Sequence, residues 1–280
     1  MCINFWTLQH PKYRFVFASN RDEFLARATK RAEFWPPAES ALSGIDTTHI
    51  TANEPIGGTW LGVNKKGRFV SLTNFREPVS PGASAKISRG FLVRDLLLSE
   101  NSLREDFDKV KQTEADYDGF NLVAFDFKSK DEEAYYYSNR GESELRQLNR
   151  GEIYGLSNSV LSVEWPKVRK GKPIFEETLS KELSEEALIE ELLCMLRDTS
   201  PFQDSSELTK LEDLAQCICI PKIGILGKGA NAYATRTSTI VLLSHDNELV
   251  FVEREWYNAQ HEPYEDPSQQ DRVYRFTIPS

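Results

Sequence analysis

A cysteine stands at position 2, and the run Asn20-Arg21-Asp22-Glu23 follows eighteen residues later. If an aminopeptidase removes Met1, Cys2 carries a thiol and the α-amine of the chain on one residue. The amine's ordinary pKa is near ~8 and the thiol's near ~8.5, so both titrate close to neutral pH. An N-terminal amine can serve as the base for its own side chain. That pair has the parts for acyl transfer: a thiolate to attack an amide or ester carbonyl, and an amine to carry the proton to the leaving group. Taken alone, Cys2 is more simply an ordinary small residue at the start of a strand. The spacing favours chemistry. A hairpin turning at Pro11 sets positions near 2 opposite positions near 20, so Asn20, Arg21, Asp22 and Glu23 are brought to the amino terminus.

Acyl transfer also needs hydrogen-bond donors for the developing oxyanion. Asn74 ends a predicted strand in VSLTNFRE and Asn158 ends another in YGLSNSV. Each also suits a turn, where asparagine side chains bond their own backbone. Arg236, in ATRTSTIVLL, precedes an apolar run. If buried, its guanidinium requires a carboxylate or carbonyl partner.

The elements that must position these residues come in groups. INFWTL and YRFVFAS read as a first hairpin around QHPK. Residues 35–44, with WPP and LSG, read as loop. GGTWLGVN and RFVSLTNF form a second hairpin around residues 64–67, with Gly67 suited to a positive φ. Helical periodicity predicts a helix in SRGFLVRDLLLSE, capped by Ser88, and a more polar one in LREDFDKVKQTEAD. Strands return at 121–127, 134–139 and 152–158. Two more helices follow Pro166, the stronger over 184–198 with Ser184 as its cap and Ala187, Leu188, Leu192 and Met195 on one stripe. ATRTSTIVLLS and ELVFVEREWY form a last hairpin around residues 245–247, and RVYRFTI adds an edge strand. Strand groups separated by helical pairs predict antiparallel sheets with helices on their outer faces, rather than βαβ alternation. No linker or repeat interrupts residues 1–280, which read as a single domain with a loosely packed tail over 258–280.

Composition limits the partners. The chain has 280 residues, 40% hydrophobic and 28% charged, with a formal net charge of −9, so a nucleic-acid partner is not expected. The basic runs at 27–31 and 167–172 are short and read as solvated faces. No stretch approaches the about 18 apolar residues of a membrane span, and no signal peptide is apparent. Cys2, Cys194, Cys217 and Cys219 fit neither a disulfide framework nor a zinc site. They read as reduced thiols, with Cys194 and Cys217 as small core residues. Tyr135-Tyr136-Tyr137 could line a flat ligand but is more simply a half-buried strand.

CINFW, SNRDEFLAR, GGTWLGVNKKGRF, ATRTSTIVLL and FVER together resemble the NRDE family, the homologues of transport and Golgi organization protein 2. The resemblance covers nearly the whole chain. That family is similar in turn to the N-terminal-nucleophile hydrolases, especially penicillin V acylases and bile-salt hydrolases. The resemblance implies an α+β fold, the αββα four-layer sandwich of two antiparallel sheets with outer helices. It implies Cys2 as nucleophile and Asp22 as the partner of the amino-terminal residue. It gives Asn74 to the oxyanion, Asn158 to the α-amine and the intermediate, and Arg236 to the surroundings of the nucleophile. One departure stands out: the hydrolases carry an arginine three residues before the aspartate, and here that position is Ser19. Three functions stay open. The first is a trafficking protein of Golgi organisation, secretion and haem or lipid homeostasis that binds a small hydrophobic ligand (haem or an acyl-lipid) at Cys2. It would be cytoplasmic, associated with mitochondria or Golgi and in peripheral membrane contact. The second is a Cys2 amidase or thioesterase, and the third an adaptor with a vestigial site. No cofactor or metal is required, haem being a transported ligand.

Overall fold

The computed structural model describes residues 2–279, except 37–39, 53–54, 78–85, 129–132, 142–143, 209, 211 and 225–231. The chain runs β1 (Cys2–Thr7), β2 (Tyr13–Phe24), β3 (Thr29–Phe34), β4 (Ala41–Asp46), β5 (Leu61–Asn64) and β6 (Arg68–Asn74). Helices α1 (Gly90–Leu98) and α2 (Leu103–Thr113) follow, then β7 (Phe120–Asp126), β8 (Glu133–Ser138), β9 (Arg146–Gln147) and β10 (Ile153–Leu156). Helices α3 (Pro166–Ser180) and α4 (Glu185–Met195) precede β11 (Ile223–Gly224), β12 (Ala232–Ser244), β13 (Glu248–Glu255) and β14 (Arg272–Thr277). This is the predicted alternation of strand groups and helical pairs, and the fold class is α+β with two antiparallel sheets and four helices.

Contacts divide the chain into two compact units. One comprises Met1–Arg27, Arg150–Ser157 and Leu161–Phe276; the other comprises Ala28–Asn149, Asn158–Val160 and Thr277–Ser280. The first holds the sheet β10-β1-β2-β12-β13-β14, with β11 on β12. Its helices cover one face. Ile3, Phe5, Val16, Ala18, Ile240 and Leu242 pack there against Val168, Phe175, Leu188 and Leu192, each buried apolar side chain being worth about 1.5–3 kcal/mol. Helix α3 lies unusually close to the sheet. A Cβ on Gly171 would fall 2.2 Å from the Phe5 ring, and one on Gly155 2.6 Å from Val168.

The second unit holds the sheet β3-β4-β5-β6-β7-β8-β9. Val70, Leu72, Leu122 and Ala124 pack against Leu92, Leu96, Leu103 and Phe107 of α1 and α2. Gly67 closes the β5–β6 turn at φ +90, as its sequence position requires.

Three local expectations are corrected. Residues 35–44 are not all loop: β3 and β4 bracket them, and the buried Trp35 donates its indole N–H to the Ser43 carbonyl; Pro37 of the WPP run lies outside the described residues. Ser88 does not cap α1. The preceding residue is Arg89 with no side-chain cap, and the entry is set by backbone contact, the Thr59 N–H donating to the Gly90 carbonyl at 3.0 Å. Cys194 is exposed rather than in the core, whereas Cys217 and Cys219 are buried. Its helix turns that position away from the stripe formed by Leu188, Leu192 and Met195. Tyr136 and Tyr137 are core residues of β8 whose hydroxyls donate to Asn121 and Glu114.

Candidate active site

Strand alternation decides what Cys2 meets. The β1–β2 register pairs Cys2 with Arg21, Asn4 with Ser19 and Trp6 with Phe17, and direct cross-strand partners share a face. Ser19 accordingly donates to Asn4 Oδ1 at 2.8 Å, and the Trp6 and Phe17 rings lie 6.3 Å apart. Ile3, Phe5, Asn20 and Asp22 take the other face, beneath α3 and α4. Ser157 Oγ donates to the Cys2 carbonyl at 2.7 Å, which ties the strand start to the end of β10.

Cys2 is partly exposed. Burial pushes its thiol up from the ordinary range, and the Asp22 charge adds to that; the positive chain terminus, a hydrogen bond from the Asp22 backbone and the Arg21 guanidinium pull it down. Met1 lies outside the described residues, so its removal is decided by mass and not by geometry. Arg21, directly across from Cys2, is a cation on the same face of the sheet. Its guanidinium lies 3.9 Å from Glu23, which also faces Arg27 at 3.6 Å. The hydrolase arginine is absent at Ser19, and Arg21 stands one pair further along the same face.

Asp22 is buried and densely held. Thr235 Oγ1 donates to its Oδ1 at 2.6 Å, Tyr233 donates to its carbonyl at 3.0 Å, and Lys167 Nζ lies 3.4 Å from its Oδ2 with neither side chain exposed. Lys167 overturns the reading of residues 167–172 as a solvated face. It is the second residue of α3 and opens a buried stripe through Val168, Gly171, Phe175 and Thr178. That stripe was the available signal: Lys167 lies four residues before Gly171 and eight before Phe175, on one helical face.

Asn20 is engaged in the first unit's interior. Its amide donates to the Leu196 and Ile218 carbonyls at 2.7 and 3.1 Å and accepts from Ser238 at 2.6 Å. Arg236 sits at a bulge in the β2–β12 pairing, between Thr235 and Thr237. It donates to the Phe24 and Arg27 carbonyls at 3.3 and 2.7 Å, the carbonyl partners its position demanded.

In the second unit Asn158 donates to the Asn74 carbonyl at 2.6 Å, and the Arg76 N–H donates to the Asn158 carbonyl at 2.8 Å. The Asn74 side-chain amide has no partner among the described residues and is half-buried. The structure therefore gathers Cys2, Arg21, Asp22 and Glu23 at one end of the β1–β2 pair, and joins Asn74 to Asn158. Among the described residues no cluster of three or more His, Cys, Asp or Glu could hold a metal, and no helix is long and apolar enough to cross a membrane.

The family model described as Transport and Golgi organisation 2 matches residues 1–258. The mouse Transport and Golgi organization 2 homolog is 33% identical, covering 100% of both chains. The human homolog is also 33% identical with the same coverage. The Drosophila melanogaster protein of that name is 30% identical over 90% of this chain and 91% of its own. Among solved structures, the Caenorhabditis elegans ortholog of N-acylethanolamine-hydrolyzing acid amidase superposes with a TM-score of 0.45 at 11% identity, covering 99% of this chain and 100% of that one. A variant of conjugated bile acid hydrolase from Clostridium perfringens gives 0.43 at 11% identity, covering 100% and 98%.

Proposed function

The chain belongs to the Transport and Golgi organisation 2 family, and on that premise we propose that it serves intracellular transport and Golgi organisation by capturing a small acyl-bearing hydrophobic ligand at Cys2. One observation carries this reading: a partly exposed thiol directly across from a buried arginine, with the Asp22 backbone donating to it. The thiol sulfur attacks the ligand's carbonyl carbon. The C–N or C–S bond then breaks, the leaving group takes the thiol's proton, and the acyl group stays on sulfur until water releases it as an acid. Loss of Met1 supplies the α-amine as proton carrier. The family resemblance gives Asn74 and Asn158 to the oxyanion and the amine. On this reading the protein is cytoplasmic and meets lipids at a membrane surface.

The test is intact mass after incubation with a panel of long-chain acyl amides and thioesters. We expect Met1 to be absent and one acyl group to sit on wild-type Cys2, removable by hydroxylamine and missing in Cys2→Ala. Asn74→Ala slows its formation about 10²-fold, the usual loss of one oxyanion donor. A haem titration runs alongside: a Soret shift lost in Cys2→Ala, with no acyl adduct, replaces the acyl reading with a haem one. Retained Met1 and an unmodified thiol sink the acyl chemistry.

A further inference from the structure

Lys167 is a buried cation that the chemistry above does not use. Burial of an ammonium is unfavourable unless it is paired, and the first turn of a helix, where the backbone is positive, disfavours it again. An apolar side chain would fill the same volume with neither penalty. Lys167 nevertheless sits fully buried at the second position of α3. The close seating of α3 at Gly155 and Gly171 keeps it there. Among the described residues its only partner is Asp22, which uses one of three ammonium donors.

Asp22 is surrounded from several elements. Lys167 faces it from α3, Cys217 and Cys219 from the segment before β11, and Tyr233 and Thr235 from β12; Arg21 and Glu23 flank it on β2, and its charge and its backbone N–H reach Cys2 at the start of β1. Burial pushes Cys217 up to about 12 and Cys219 up to about 11, and holds Tyr233 far above its ordinary range. Arg21 takes the opposite face and lies beside Glu23. Lys167 is thus the one positive charge that meets Asp22 from the helix side among the described residues.

We propose that Lys167 is the positioning residue of the Cys2 site, holding Asp22 as an oriented carboxylate and offsetting its negative charge beside the thiol. The inference rests on the reading of Cys2 as nucleophile.

Iodoacetamide alkylation of Cys2 against pH, followed by peptide mass, tests it; the exposed Cys194 in the same sample is the reference. In Lys167→Met the Asp22 charge is left unopposed, so the Cys2 profile moves to higher pH by about one unit. The rate near pH 8 then falls about tenfold, while Cys194 is unchanged. Lys167→Arg stays close to wild type. Asp22→Asn/Lys167→Met removes both charges, leaves no unpaired buried ion and recovers most of the rate, so it decides the matter if the single variant fails to fold. Superimposable profiles for wild type and Lys167→Met, a loss equal at every pH, or a double variant as slow as the single one each overturn the inference. A wild type that takes no acyl group overturns only the nucleophile reading, because the alkylation profile still reports the charge.

Discussion

Arg68 shows what a buried charge costs when its partners are structural. Fully buried in β6, it donates to Asp106 at 2.8 Å and to Asp126 at 2.9 Å, and to the Leu96 and Ser99 carbonyls at 3.2 and 3.3 Å. Arg68→Ala strands two carboxylates and should cost about 3–5 kcal/mol. Lys66→Ala, which breaks an exposed pair with Glu100, should cost less than about 1 kcal/mol. Urea melts of the two variants separate these values, and near-equal losses would defeat the argument. The buried thiols make a second prediction. Fold burial raises Cys217 and Cys219 from an ordinary 9.0 to about 12 and about 11. Above the ordinary value the unfolded chain releases these protons and the folded chain keeps them. Their stabilisation is complete below pH about 9 and declines at about 1.4 kcal/mol per pH unit per thiol until the folded values are passed. Cys217→Ala/Cys219→Ala should flatten this alkaline decline in melts run from pH 8 to 11; an unchanged slope would count against it. At this scale Cys2 and residues 20–23 were legible because a hairpin has a fixed register. Lys167 was missed, because a short basic run reads as a solvated face until it is set against the helical stripe through Val168, Gly171 and Phe175.

Helix α3 carries the consequences at the scale of elements. Gly171 lets it approach β1, and the stripe that contains Gly171 also contains Lys167 one turn earlier. Gly171→Ala forces the Phe5 ring or the helix to move, at about 1–3 kcal/mol. We expect a lower melting temperature together with slower Cys2 alkylation. A lower melting temperature with unchanged alkylation would show that Lys167 does not depend on the seating of α3. The helices were legible from periodicity, and Ser184 caps α4 as its position predicts, accepting from the Ala187 N–H at 3.2 Å. Strands β3 and β4 were not. TKRAEF and ALSGID carry few of the aromatic and β-branched residues that mark a strand, only Thr29, Phe34 and Ile45, and their partners in the sheet hold them extended.

Over the whole molecule, the grouping of strands and helices was legible, but the order of strands within each sheet was not. Nothing local says that β10 pairs with β1 or that β2 pairs with β12, where Asn20 faces Ser238. Such pairings repay the closure of a long loop only late in folding. Refolding should therefore fall at the slow end of the millisecond-to-second range. Thr235→Ala should mainly speed unfolding and leave the folding rate nearly unchanged. A stopped-flow experiment in which this variant slows folding as much as it loses stability would place the β2–β12 contact early instead.

Thr235 and Asp22 stand 213 positions apart. During synthesis Cys2 and Asp22 leave the ribosome long before the hydroxyl that holds Asp22, which is made 213 positions after it. A chain cut short by a stop codon before position 235 keeps Cys2, Asp22 and Lys167 but loses the hydroxyl that fixes the second carboxylate oxygen of Asp22.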